Sequence, residues 1–363
     1  METRVNEKPS RRQRSAPTIS DVAHKAGVSP MTVSRVINGE GSVRPDTREK
    51  VEAAIAALNY APNPAARSLA GAEQIKVGLL YSNPSAAYLS EFLVGGLEQA
   101  SRANVQFVVE KCDAGRSAVE AALHLVSGGV DGVILPPPLC DSAPVIAALA
   151  ASGTPVVVVA TGRPPAELPA VNIDDYRAAH AMTHHIMALG HARIGFIMGN
   201  PNQTTSERRL AGYRDALEAG GIAISEELIA QGLFTYRSGL DAAEVLLDLA
   251  EPPTAIFASN DDMAAAAVAV AHRRGLDVPS DLTVCGFDDT AIATIIWPEL
   301  TTIHQPITDM SRAAVDLLVS EIRARRAGRQ APGQQILLDF NLVRRQSDAA
   351  PRRRPLAMVS HRP

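Results

Sequence analysis

Cysteine is scarce in this chain: Cys112, Cys140 and Cys285 are the three among 363 residues. They are scattered, odd in number and without metal-ligand spacing, which excludes a disulfide framework or a zinc site built on them. They read as buried or incidental thiols of a reducing cytoplasm. No apolar run approaches the ~20 residues that a membrane span needs. The opening stretch METRVNEKPSRRQRSAP is polar and basic with no apolar core segment, so no secretory signal is expected there. A nucleophile motif and a phosphate-binding glycine loop are also missing. Together these absences predict a cytoplasmic protein with no cofactor, no metal and no enzymatic chemistry.

Positive charge is not in overall surplus, the net charge being −4, but its distribution is uneven. Residues 1–74 hold 11 Lys and Arg against 8 Asp and Glu, a balance of +3, and the remainder holds 24 against 31, a balance of −7. Five basic and two acidic residues fall in the first fourteen. Such an arm either adds sequence-independent attraction to phosphates or is a solvated tail. With 46% hydrophobic and 20% charged residues, the chain is long enough for two or three domains with sizeable cores.

What is present is organised around Thr18 to Leu58, where the spacing predicts three short helices. Thr18 is an N-cap with Asp21 three residues on, and Ile19, Val22, Ala23 and Ala26 share one apolar face. Gly27 can close the first helix in the left-handed conformation, and Ser29–Pro30 restart the chain as an N-cap and N1 pair. In the second helix Val33, Val36 and Ile37 face inward, leaving Pro30, Met31, Thr32, Ser34, Arg35 and Asn38 outward. A third helix from about Pro45 buries Val51, Ala54, Ile55 and Leu58. Helix, glycine turn and exposed polar helix make a helix-turn-helix, although an ordinary α-hairpin with a solvated face shares the same periodicity.

DVAHKAGVSPMTVSRVING followed by TREKVEAAIAALNYAPNPAARSLAG resembles, over about fifty residues, the DNA-binding headpiece of the lactose/galactose repressor (LacI/GalR) family. The resemblance implies a second helix lying in the major groove. Arg35 is then the candidate for bidentate contact to guanine, and Pro30 and Met31 supply shape and methyl contacts. Ser29, Thr32, Ser34 and Asn38 fix register on phosphates, with Thr18 at the start of the first helix counted among the DNA-binding residues. The stretch Asn63 to Gly71 becomes a hinge helix that orders on DNA, and Leu69 takes the position that wedges into the minor groove. At the next position some relatives carry lysine where this chain has Ala70.

From Ile75 the texture becomes alternating strands and helices. IKVGLLYS, VQFVVEKC, DGVILPP and TPVVVVAT form one run, and RIGFIMG, TAIFASND and LTVCGFDD a second, with LTTIHQPI and ILLDFNLV returning the chain between lobes. The alternation predicts two doubly wound lobes of parallel sheet, with ligand beyond the carboxyl ends of the strands. The fold class expected is thus an all-α helix-turn-helix headpiece plus an α/β two-lobed core. That core resembles the periplasmic-binding-protein-like core of the same family. The expected organisation is a basic arm at 1–16, headpiece at 17–61, hinge at 62–74, core at 75–347 and a basic disordered tail at 348–363. Within the core, the first lobe is expected at about 75–171 plus 301–333 and the second at about 172–300 plus 334–347.

Polar residues gather where the second-run strands end: Asn260, Asp261 and Asp262 after TAIFAS, and Asp288 and Asp289 after LTVCGF. Arg209 opens the RLAGY segment, Phe234 lies in LFTYRSG and Trp297 precedes Pro298. Arginine, asparagine, aspartate and an aromatic ring suit a polyhydroxylated ligand, whose hydroxyls need paired hydrogen bonds and whose C–H face needs flat apolar cover. The family resemblance implies effector contact by Arg209, Asn260 and Asp288, with Phe234 as a wall residue. Trp297 completes the expected set. Many sugar-responsive relatives place an aspartate where this chain has Ala160.

Two rival readings are weaker. A glycosidase needs two carboxylates flanking one bond, and in each adjacent Asp pair one member must point away. A secreted sugar-binding protein shares the core but lacks a fused headpiece. His184, His185 and His191 fit no established zinc spacing, and His191 in LGHARIG reads as structural. The resulting expectation is a ligand-responsive transcriptional regulator, usually a repressor in this family, controlling carbohydrate genes. Its partners are pseudo-palindromic double-stranded operator DNA, a sugar or sugar derivative, and a second copy of itself. Because RRQSDAAPRRRPLAMVSHRP has no leucine heptad, the assembly expected is a dimer and not a tetramer.

Overall fold

The computed structural model describes residues 17–37, 43–60, 74–112, 117–329 and 333–352. The expected arm, Asn38, the hinge helix with Leu69, and the tail beyond 352 lie outside the described residues. The chain divides into two compact units, one ending at Gln74 and the other beginning at Ile75.

The first unit contains α1 (Ile19–Ala26), α2 (Pro30–Ile37) and α3 (Pro45–Leu58). Thr18 and Asp21 form a reciprocal capping box that satisfies two amides otherwise orphaned at the start of α1. Gly27, at φ 66°, turns the chain and returns its N–H to the last carbonyls of α1. The Ser29 hydroxyl accepts from the Thr32 amide at 3.2 Å and so starts α2. Val22, Ala23, Val33, Val36, Val51 and Ala54 form the small core that fixes the three helices together.

The second unit holds two six-stranded sheets. Its strands are β1 (Lys76–Tyr81), β2 (Gln106–Lys111), β3 (Gly132–Leu135), β4 (Val156–Val159), β5 (Ala170–Asn172), β6 (Ile194–Met198), β7 (Ile229–Gln231), β8 (Ala255–Ala258), β9 (Thr283–Asp288), β10 (Thr301–His304), β11 (Gln335–Leu337) and β12 (Asn341–Val343). The first sheet runs β11-β5-β4-β3-β1-β2 and is parallel throughout; the second runs β12-β10-β9-β8-β6-β7, with only β12 antiparallel. The helices between strands are α4 (Ala86–Ala103), α5 (Ala118–Ser127), α6 (Ala143–Ala151), α7 (Asp175–Ala188), α8 (Thr204–Ala219), α9 (Tyr236–Leu247), α10 (Asp261–Arg273), α11 (Ile292–Ile295) and α12 (Ile307–Arg326). Helices on both faces bury the strands, which is why GVIL, VVVV and AIFA are apolar at every position.

Three expectations need correction. The first concerns the lobes: β10, expected in the first, pairs with β9 in the second sheet (Thr301 beside Cys285), and β11, expected in the second, pairs with β5 in the first. The chain therefore crosses after β5, after β10, and once more inside ILLDFNLV, which is two short strands serving different sheets. The lobes are accordingly residues 75–172 with 305–337, and 173–304 with 338–352.

The second concerns residues 348–352, expected to begin a disordered tail, which are pinned to the core. Asp348 is buried, lies 2.8 Å from His185 Nε2, and accepts from the Thr301 hydroxyl. The Ala349 carbonyl accepts from the Thr283 hydroxyl and lies 2.8 Å from His191 Nε2. His191 is buried between that carbonyl and Thr254, a structural position. The third concerns Trp297, which is exposed to solvent. Among the described residues, no helix is long and apolar enough to cross a membrane.

Candidate ligand cavity and nucleic-acid interface

A cavity lies between the two lobes, beyond the carboxyl ends of their strands, with about 380 Å³ of atom-free space counting the open solvent at its mouth. From the second lobe it is lined by Gln203, Thr205, Arg209, Phe234, Asn260 and Asp288. The first lobe contributes Asn83, Ser85, Tyr88, Pro137 and Ala160, and Gln305 sits at a crossover.

Arg209 is the electrostatic centre. It lies in the second turn of α8, which begins at Thr204 and not at the RLAGY segment. Its Nε donates to Asp175 Oδ1 at 2.7 Å and its Nη1 to the Ser259 carbonyl at 2.5 Å, with Asp288 Oδ1 3.8 Å away. The guanidinium stacks on the Phe287 ring, 3.5 Å from its centroid, which covers one of the two faces that hydrogen bonds cannot use, and the Phe234 centroid lies 5.7 Å away. Burial pushes the Asp288 carboxyl well above the ordinary range, with Arg209 opposing and Asp261 adding to the shift. Asp288 ends β9 at φ 108°, a left-handed backbone that aims its side chain into the cavity, where Gln305 Nε2 donates to it at 2.6 Å.

Asn260 is the N-cap of α10: its Oδ1 accepts from the Met263 amide at 3.0 Å and its Nδ2 donates to the Phe234 carbonyl at 3.2 Å. It therefore lines the cavity and also fixes the loop that presents Phe234. The Phe234 ring packs over Gly199, where an added Cβ would lie 2.0 Å from Cζ. Only glycine at 199 leaves room for that wall.

Of the other three carboxylates grouped at these strand ends, none lines the cavity. Asp261 accepts from the Thr302 hydroxyl at 2.6 Å and the Thr290 amide at 2.8 Å, tying α10 to β10, and burial pushes it up to about 7. Asp289 pairs with Arg345 at 2.5 Å and lies 3.1 Å from His304. Asp262 accepts from the Ser85 hydroxyl at 2.6 Å, a bond between lobes on one rim. A second bond between lobes is made by Asp141, from the first lobe, which accepts from the Thr204 amide at 2.8 Å and also from the Thr161 hydroxyl at 2.6 Å. A carboxylate at the amino end of α8 is well placed against the helix dipole.

Sequence reasoning thus named four residues that share the cavity: Arg209, Phe234, Asn260 and Asp288. It was wrong about Trp297, which is 74% exposed and does not line it. The short α11 buries Ala293 and turns the following residues outward, so Ile295 and Trp297 both face solvent. It missed Gln203, Thr205, Gln305 and the first-lobe wall apart from Ala160, which was noted only as standing where many relatives place an aspartate. The available signal was the strand-end rule used for the second lobe: Asn83 and Ser85 follow KVGLLY, Pro137 follows GVIL, and Gln305 follows TTIH.

In the first unit, Thr18, Ser29, Pro30, Met31 and Arg35 are exposed, and Thr32 and Ser34 are partly so. Met31 is 66% exposed, an apolar side chain held out by a helix whose Val33 and Val36 are buried. The Thr18 hydroxyl is committed to Asp21 at 2.7 Å, and Ser29 and Thr32 share a 3.0 Å hydroxyl contact.

Residues 18–63 match the family of bacterial regulatory proteins of the lacI type, and residues 183–347 match the periplasmic binding protein-like domain. Catabolite control protein A of Priestia megaterium is 35% identical over 306 residues, covering 83% of this chain and 91% of that protein. The HTH-type transcriptional repressor CytR of Escherichia coli is 33% identical over 344 residues, covering 94% and 99% respectively. A solved complex of the transcriptional regulator CelR with cellobiose superposes with a TM-score of 0.69 at 34% identity, over 91% of this chain and 99% of that one. The lac repressor dimer bound to operator and the anti-inducer ONPF gives 0.74 at 30% identity, over 93% and 100%. With relatives this similar over nearly their whole length, and with both of its units matched, the chain belongs to the lacI family of bacterial regulatory proteins.

Proposed function

We propose that this protein is a ligand-responsive regulator, usually a repressor in this family, that binds a pseudo-palindromic operator as a homodimer and carries a carbohydrate in the interlobe cavity. The observation that carries the reading is the union, in one chain, of an outward-facing polar α2 and a buried cavity built on Arg209, Asn260, Asp288 and Phe234. The chain superposes over more than nine-tenths of its length on the lac repressor dimer solved on operator and on CelR solved with cellobiose, which supports the reading. Arg35 reads a guanine edge, Pro30 and Met31 supply shape and methyl contacts, and Ser29, Thr32 and Ser34 set register on phosphates, with Thr18 beside them. Asn38 and the minor-groove wedge Leu69 complete the interface. The protein acts in the cytoplasm, where its operator is.

The coupling follows from where the cavity lies. A ligand that touches both lobes favours one lobe arrangement and so biases the spacing of the paired hinge segments. Such coupling is typically worth ~1–3 kcal/mol. Selection of bound duplexes from a random pool tests the reading. It should return an inverted repeat that binds two chains, whereas enrichment of a single half-site bound by one chain would refute the dimeric mode.

A further inference from the structure

The charge of the cavity narrows the class of ligand, an inference that rests on the effector-site reading above. Arg209 is the sole cationic side chain among the described residues lining it. Its charge is already compensated by Asp175 at 2.7 Å and Asp288 at 3.8 Å, and the Ser259 carbonyl takes a further donor. Asp261 and Asp262 act on Asp288 from behind with the same sign. An entering phosphate or carboxylate would therefore meet a guanidinium whose charge is already balanced and an acidic surround of buried side chains, where like-charge repulsion is weakly screened.

The unpartnered atoms of the cavity point the same way. Among the described residues, Tyr88 Oη and Gln305 Oε1 are buried with no hydrogen-bond partner, and both residues line the cavity. Because the Gln305 amide nitrogen is committed to Asp288, the free Oε1 is an acceptor and requires a donor from the ligand. A hydroxyl can donate to Gln305 Oε1, whereas a phosphate or carboxylate group standing in its place cannot. Tyr88 Oη can do either. Leaving such buried groups unpaired is what rejects a ligand lacking the matching donor.

We propose that the cavity selects an uncharged, hydroxyl-rich ligand over its phosphorylated or carboxylated derivatives, with Gln305 Oε1 and Tyr88 Oη reading its hydroxyls.

The test is a thermal-shift and calorimetric comparison of matched pairs on the full chain. The pairs are glucose with glucose 6-phosphate, galactose with galacturonate, ribose with ribose 5-phosphate, and cellobiose and maltose with their 6-phosphates. At least one neutral member should bind, its charged partner at least tenfold more weakly. Tyr88→Phe, which removes only the hydroxyl, should weaken the neutral ligand about tenfold while leaving the ligand-free melting midpoint within a degree of wild type. A charged partner binding as tightly as its parent overturns the inference and leaves the effector-site reading standing. Unaltered affinity in Tyr88→Phe overturns the role of Oη. Failure of every compound, neutral and charged, overturns the carbohydrate-site reading itself and the inference with it.

Discussion

Removing either partner of the buried Arg209–Asp175 pair should destabilise the core, and the two losses should respond oppositely to pH. Both side chains are buried and meet at 2.7 Å, so truncating one leaves an uncompensated charge, at a cost of about 3–5 kcal/mol. Asp175→Asn retains an acceptor for Nε, which places its cost near the lower end, about 3 kcal/mol. The guanidinium cannot shed its proton, and acidification neutralises Asp288, its remaining counter-charge, so that deficit persists or grows at lower pH. Arg209→Met leaves two carboxyls that burial has already pushed upward, and these escape by taking up protons. At roughly 1.4 kcal/mol per pH unit for each proton bound on folding, going from pH 7.5 to 5.5 should recover up to about 2.7 kcal/mol of the loss for each of the two carboxyls that takes up a proton. Urea denaturation followed by far-ultraviolet circular dichroism, each variant against wild type at both pH values, measures this directly. Parallel pH responses would refute the assignment of Arg209 as a permanently charged centre held by titratable partners.

Three further outcomes are expected. Asp261 has its folded pKa raised to about 7, so its contribution is fully present below the unfolded value near 3.8 and is lost as pH rises through 7. Lowering pH from 8 to 5.5 should therefore stabilise wild type relative to Asp261→Asn by about 2 kcal/mol, and an unchanged difference between the two would show that Asp261 is already ionised. Gly199→Ala places a methyl against the Phe234 ring and should cost about 1–3 kcal/mol in overpacking while weakening ligand binding; normal values of both would show that the ring moves freely. Arg35→Ala should weaken specific DNA binding by roughly 1–3 kcal/mol and relax one base position, which a titration of single-substitution duplexes reads.

The parts legible in the sequence are those where one physical signal dominates. Thr18, Gly27 and Ser29 each mark a helix end by capping chemistry, and α1 to α3 follow from them. The long apolar runs gave β1, β3, β4, β8 and β9 at once, because strands covered on both faces are apolar throughout. Ala170–Asn172 and Ile229–Gln231 escaped because three residues have no readable period. ILLDFNLV looked like one strand, since nothing local in Asp339 or Phe340 reveals that two sheets divide it. Its aromatic ring, in a loop near the strand ends, suggested a cavity role for Trp297, but exposure is decided by the packing of α11. Asp348 looked like the start of a charged tail because its partners, His185 and Thr301, are distant in sequence.

The account stands most directly on whether cavity occupancy controls DNA affinity. The measurement is the dissociation constant for a duplex selected by the protein itself, taken with and without the saccharide giving the largest thermal shift, for wild type and for Asp288→Ala. Wild type should change affinity by about 5–150-fold on adding saccharide, in one direction or the other, while Asp288→Ala binds the bare duplex normally and shows no change. Identical wild-type affinities at saturating saccharide, or an unaltered response in Asp288→Ala, would contradict it.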